Sequence, residues 1–105
     1  MYPTPDIPSS AVEAMRQELE DYWRAQDLWF DTRWYTPQEW AERGEEYGHK
    51  AVLNLTCEGP LNHALNYGWE EHPPFHTQTR SQEIAEAHGY WFELGYAWSV
   101  HFYPR

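Results

Sequence analysis

Six histidines, one cysteine and two pairs of adjacent glutamates are the residues whose chemistry could do more than hold a fold. His72 and His76 are spaced H-x3-H, which on a helix would put both imidazoles on one face. The residues between them are Pro73-Pro74-Phe75, and proline forbids that helix. The pair could still chelate with Glu70, Glu71 or a distant His88 or His101, but no CxxC or HExxH accompanies it. No metal and no cofactor is therefore expected. Cys57 with a nearby histidine could form a nucleophile pair. It shares a side with Leu53 and Leu55, which reads as a small core residue. Neighbours in sequence diverge in space, so neither Glu45-Glu46 nor Glu70-Glu71 resembles a carboxylate dyad across a substrate. With no GxGxxG, P-loop or GxSxG, the expectation is a protein without a catalytic site.

The stretch GWEEHPPFHTQTR, residues 68–80, suits binding better than catalysis. Pro73-Pro74 stiffens it in extended polyproline geometry, and a preordered loop loses less entropy on binding. Trp69, Glu70, Glu71, His72, Phe75 and His76 would be presented there together. Glu45, Glu46 and Tyr47 form a second candidate cluster of the same kind, an aromatic anchor beside two acids.

Composition sets the partner. The chain has 105 residues, mean hydropathy −0.90, and 18% aromatics, including seven Trp and eight Tyr. That is one domain with a few very large apolar anchors. Seventeen acids against seven bases leave a formal charge of −10, spread over both halves of the chain. Direct nucleic-acid binding needs clustered Lys and Arg, and an anionic membrane surface repels such a chain. The expected partner is a basic, Lys/Arg-rich protein surface. One specific form is an inhibitor from a phage or mobile element that imitates nucleic acid in the groove of a host defence protein. Two alternatives stand beside it. One is a module stacking a base or sugar on aromatic rings beside Gly95–Ser99; the other is a histidine-dependent metal hydrolase. The N-terminal MYPTPDIPSS has no basic start and no apolar run, and one cysteine makes no internal disulfide, so a cytoplasmic protein is expected.

The elements that would position these residues read as α+β. Residues 1–9, with three prolines, form an extended arm, and residues 10–105 a single compact domain. Ser10-Ala11-Val12-Glu13 reads as a capping box opening an amphipathic helix to about Trp29, with Val12, Met15, Leu19, Tyr22 and Trp23 on one face. LWFDTRWY (28–35) fits either a helix extension or a short strand. Thr36-Pro37-Gln38-Glu39 is a second capping box, for a short helix stopped at Gly44. KAVLNLTC (50–57) alternates as a half-buried strand, and short helices follow in GPLNHALNYG (59–68) and TRSQEIAEAHG (79–89), the latter capped by Thr79 or Ser81. From Phe92 to Phe102 the period-two alternation runs unbroken through Gly95, which predicts one long strand rather than a hairpin. The predicted fold is thus an N-terminal amphipathic helix and short helices on a two- to three-stranded sheet with a long C-terminal strand. In it Trp98 and Phe102 pack on Leu19 and Trp23. The opposite face, narrow at Gly95, Ala97 and Ser99, is either closely covered or floors a shallow groove.

Overall fold

The computed structural model describes residues 9–45, 47–67 and 77–105. Its elements are α1 (Ser10–Ala25), β1 (Thr32–Tyr35), α2 (Pro37–Arg43), β2 (Leu53–Cys57), α3 (Pro60–Tyr67), α4 (Thr77–Ala87), β3 (Tyr90–Leu94) and β4 (Ser99–Pro104). The class is α+β, but the sheet has four antiparallel strands in the order β1-β2-β4-β3, not two or three. The arm expected over residues 1–9 lies outside the described residues apart from Ser9.

α1 begins one residue earlier than its sequence suggests. Ser9 is the N-cap, its Oγ accepting the Val12 N–H at 3.1 Å, while Glu13 turns to Arg16 instead of closing a capping box. The far end stops at Ala25, short of Trp29. Asp27 adopts the left-handed conformation (φ 63°) that normally selects glycine. The Leu28 N–H then reaches back to the Trp23 carbonyl at 2.9 Å and the Asp27 N–H to that of Arg24 at 3.0 Å, a Schellman closure. That turn releases residues 32–35 to pair as β1, which resolves the ambiguous stretch as a strand. The second capping box is present as read: Thr36 accepts from the Glu39 N–H, and the Glu39 carboxylate accepts the Thr36 N–H.

The long C-terminal strand is two strands. A turn at residues 96–99, closed by the Ser99 N–H on the Tyr96 carbonyl at 3.1 Å, reverses the chain, and β3 pairs with β4 from Tyr90↔Pro104 to Leu94↔Val100. Tyr96 and Trp98 mimic strand periodicity but sit in the turn and stack on each other, centroids 4.5 Å apart. Trp98 is therefore half-buried and absent from the core. Phe102 has no exposed surface and carries the packing expected of both.

One face of the sheet holds Leu53, Leu55, Cys57, Phe92, Val100 and Phe102 against Val12, Met15, Leu19 and Trp23 of α1, Leu61 and Leu65 of α3, and Ile84 of α4. Ser81, expected as a cap, lies inside α4 and accepts the Trp23 indole N–H at 2.9 Å. Trp23, Trp29 and Trp34 form a triangle with centroids 5.7 to 6.0 Å apart, closing the end of this core. β2 is buried on both faces, not one, because it is central and the other face is covered as well.

Candidate interaction surface

The second face of the sheet presents Arg33 and Tyr35 from β1, Asn54 and Thr56 from β2, Ser99 and His101 from β4, and Trp91, Glu93 and Tyr103 nearer its β3 edge; these positions follow from strand register. α2 covers the middle. Its buried Trp40 lies edge-on to His101 at 5.2 Å, and Gly44 in the left-handed conformation (φ 70°) ends the helix so that the chain can return. The Trp40 indole N–H donates to the Tyr47 carbonyl at 2.7 Å, which pins that returning loop over the sheet.

Under the loop is a fully buried polar array. His101 Nδ1 lies 2.8 Å from Asn54 Oδ1, and Nε2 lies 2.9 Å from Ser99 Oγ. Ser99 Oγ also accepts the Tyr96 N–H at 2.9 Å. Asn54 Oδ1 can only accept, so the ring's proton sits on Nδ1, and the bare Nε2 accepts the Ser99 hydroxyl proton. A hydroxyl, an imidazole and an amide in this order resemble an activated serine. Here Ser99, His101 and Asn54 have no exposed surface, so no substrate carbonyl reaches the hydroxyl. Burial pushes the His101 pKa down to about 4, which keeps the ring neutral. Glycines press on both ring nitrogens. A Cβ on Gly95 would lie 2.5 Å from Nε2, and one on Gly48 would collide with Nδ1 and stand 2.8 Å from Asn54 Oδ1. The continuous narrow face expected at Gly95, Ala97 and Ser99 does not exist, because the turn interrupts it: Gly95 is pressed by His101 and Tyr47 and Ser99 is buried, while Ala97 is exposed in the turn.

Outside the array the rings form a collar. Tyr47, 44% exposed, lies edge-on to Tyr96 at 4.8 Å, and Tyr96 continues into Trp98. Arg43 holds the other side, with its guanidinium 5.1 Å from the Tyr35 centroid, 5.2 Å from Trp40 and 6.0 Å from Trp98. It donates to Glu45 Oε2 at 2.9 Å and to the Tyr35 hydroxyl at 3.0 Å. Of the residues singled out by sequence, the structure brings Glu45 and Tyr47 together here. Glu45 is committed to Arg43, so its charge is offset locally, whereas Tyr47 remains open. Glu46, Trp69, Glu70, Glu71, His72, Phe75 and His76 lie outside the described residues.

Two other large rings are exposed and were not singled out. Trp91 (38%) pairs across the strands with Tyr103 at 5.0 Å, and Phe30 (54%) stands on the α1–β1 turn. A Phe preceding an Asp in a segment with two structural readings gave no signal of exposure; only the turn chemistry reveals it. Among the described residues no three His, Cys, Asp or Glu side chains converge as metal ligands. Burial pushes the Cys57 thiol up to about 12, and it lies in the core as read. Among the described residues no helix is long and apolar enough to cross a membrane. No protein-family model, curated protein or solved structure matches this chain, so the surface is read from its own chemistry.

Proposed function

We propose that this is a small acidic interaction protein that acts in the cytoplasm, binds a Lys/Arg-rich surface of another macromolecule and performs no chemistry itself. The observation that carries the reading is the combination of exposed rings with a surface poor in available cations. Phe30, Tyr47 and Trp91 are open to solvent, while four of the seven Lys and Arg residues, Arg16, Arg24, Arg43 and Arg80, are engaged by the chain's own carboxylates. A partner therefore meets rings set in a negative field, the pattern in which a few aromatic anchors supply affinity and charge supplies approach rate. The nucleic-acid-mimic form of the reading is favoured by the net charge of −10 on so short a chain.

The test is capture from the native host's lysate at low and high salt, followed by surface plasmon resonance on the isolated partner. The expected partner has a Lys/Arg-rich contact surface, and its on-rate falls steeply between about 50 and 500 mM salt as the Debye length contracts. Tyr47→Ala should mainly speed dissociation. An affinity independent of salt, or a contact surface without excess Lys and Arg, overturns the proposal.

A further inference from the structure

The second face of the sheet is covered unequally. α2 packs over β1 and β2, whereas at the far edge Trp91 and Glu93 are exposed and Tyr103 is half-buried. Trp91 and Tyr103 are directly opposed across β3 and β4, their rings 5.0 Å apart and tilted by 31°. Glu93 follows Trp91 on the same face, about 7 Å along the strand, and lies diagonally across from Tyr103. The Tyr103 phenol reports on that neighbour: burial raises its pKa, and the charge of the Glu93 carboxylate raises it further. The next position on this face is Gly95, where the stem of Tyr47 takes the place of a side chain: a Cβ on Gly95 would lie 2.7 Å from the Tyr47 Cβ. Glu93 thus stands between two of the exposed rings, Trp91 and Tyr47.

This carboxylate is open. Among the described residues no cation pairs with Glu93, and no guanidinium stands over Trp91 or Tyr103. Arg105, bonded through its N–H to Gly89, falls two residues past Tyr103 on the side away from Glu93. The main chain of this edge is taken, because Gln82 holds both the N–H and the carbonyl of Phe92. An added strand has nothing to pair with at the centre of the edge, so an occupant here is held by side chains. An indole face attracts a cation, and an unpaired carboxylate about 7 Å along the strand leaves room for a flat one between them. A guanidinium stacks on the ring and offers paired N–H groups to the carboxylate, whereas a compact, strongly hydrated ammonium gains less from the ring. We propose that Trp91 and Glu93 receive a cationic side chain of the basic partner, arginine in preference to lysine, laid on the indole and paired with the carboxylate. The inference rests on the interaction reading above and names the contact that a basic surface makes.

The experiment titrates blocked Gly-Arg-Gly-Arg-Gly, its lysine counterpart and its neutral citrulline counterpart into the whole chain at low salt. The indole N–H of Trp91 and the ring protons of Tyr103 are followed by NMR. The arginine peptide should shift both saturably, the lysine peptide should bind about threefold more weakly, and the citrulline peptide should not bind. Exposed ion pairs and exposed cation–ring contacts are individually modest, so Glu93→Gln and Trp91→Leu should each weaken the arginine peptide by about threefold to fivefold. Glu93→Gln keeps the side chain's shape, so it decides the matter should Trp91→Leu fail to fold. Glu83→Gln on α4, an acid already engaged by Arg80, should leave binding unchanged. Equal binding of the lysine or citrulline peptide, binding undiminished in Glu93→Gln, or an equal loss in Glu83→Gln overturns the proposal. Should Glu93→Gln and wild type hold the captured basic partner equally, the site assignment fails while the wider reading stands. Salt-independent capture sinks the wider reading whatever the peptides do.

Discussion

His101 is the most constrained side chain on the second face of the sheet. Both ring nitrogens are engaged, two glycines abut them, and Trp40 closes the top. Its folded pKa of about 4 lies below the ordinary 6.5, so the unfolded chain takes up a proton first as pH falls. Stability linked to this ring is fully present above pH 6.5 and is lost progressively down to about pH 4, by ~3 kcal/mol in all. Urea denaturation at pH 7.0 and 4.5 should show this loss beyond the part due to carboxylates. In His101→Gln the pH-dependent drop should shrink by about 2–3 kcal/mol, whatever the variant's stability at pH 7. An unchanged drop would mean that the ring takes up its proton as readily in the folded protein as in the unfolded chain. Asn54 Nδ2, buried with no acceptor among the described residues, shows that the array is set by the ring's needs more than by those of the amide.

Among the elements, β3 is an edge strand that the fold has closed. The Gly95 N–H bonds to Ser99 and the Arg105 N–H to Gly89, so the bonded pairs fall at Trp91 and Glu93, and Phe92 turns its N–H and carbonyl outward. Gln82 of α4 occupies both: its amide nitrogen donates to the Phe92 carbonyl at 2.8 Å, and its oxygen accepts the Phe92 N–H at 3.2 Å. Gln82 thus stands in for a neighbouring strand at the centre of an edge that would otherwise template pairing. Gln82→Ala should destabilise by about 1–2 kcal/mol and make the sedimentation coefficient rise with concentration. A monodisperse variant at high concentration would show that the edge is closed by something else. These elements also show what sequence discloses. Thr36-Pro37-Gln38-Glu39 was legible because a capping box is entirely local. The end of α1 was not, because Asp27 does the work usually given to glycine. The hairpin was hidden because Tyr96 and Trp98 continue the alternation for a reason unrelated to a strand, their stacking on each other. Burial of β2 on both sides depends on α2 and Tyr47 returning over it, which is tertiary information. Of the second candidate cluster, Tyr47 could be read from composition, whereas its neighbours Tyr96 and Trp98 could be gathered only by the turn that the alternation concealed.

For the molecule as a whole, the two faces of the sheet are put to different uses. One carries the apolar core, and the other a neutral polar array under rings, with charge kept to the periphery. On the proposed reading, the excess of acids over bases would draw the molecule toward a basic surface from many directions, and the exposed rings would then select the orientation that persists. The tryptophan triangle at the end of the core gives this molecule an optical signature. Its three indoles, tilted by 11° to 33° at centroid separations near 6 Å, are close enough for their electronic transitions to couple. Far-ultraviolet circular dichroism should therefore carry an exciton couplet over the peptide bands, and helix content deconvoluted from the raw spectrum will be wrong. Trp29→Phe should weaken the couplet, leaving the part that comes from the Trp23–Trp34 stack, and an unaltered spectrum would refute coupling through Trp29. Because Trp29 is only half-buried at the α1–β1 turn, a change in packing at that end of the core would be visible as a change in circular dichroism, with no label attached.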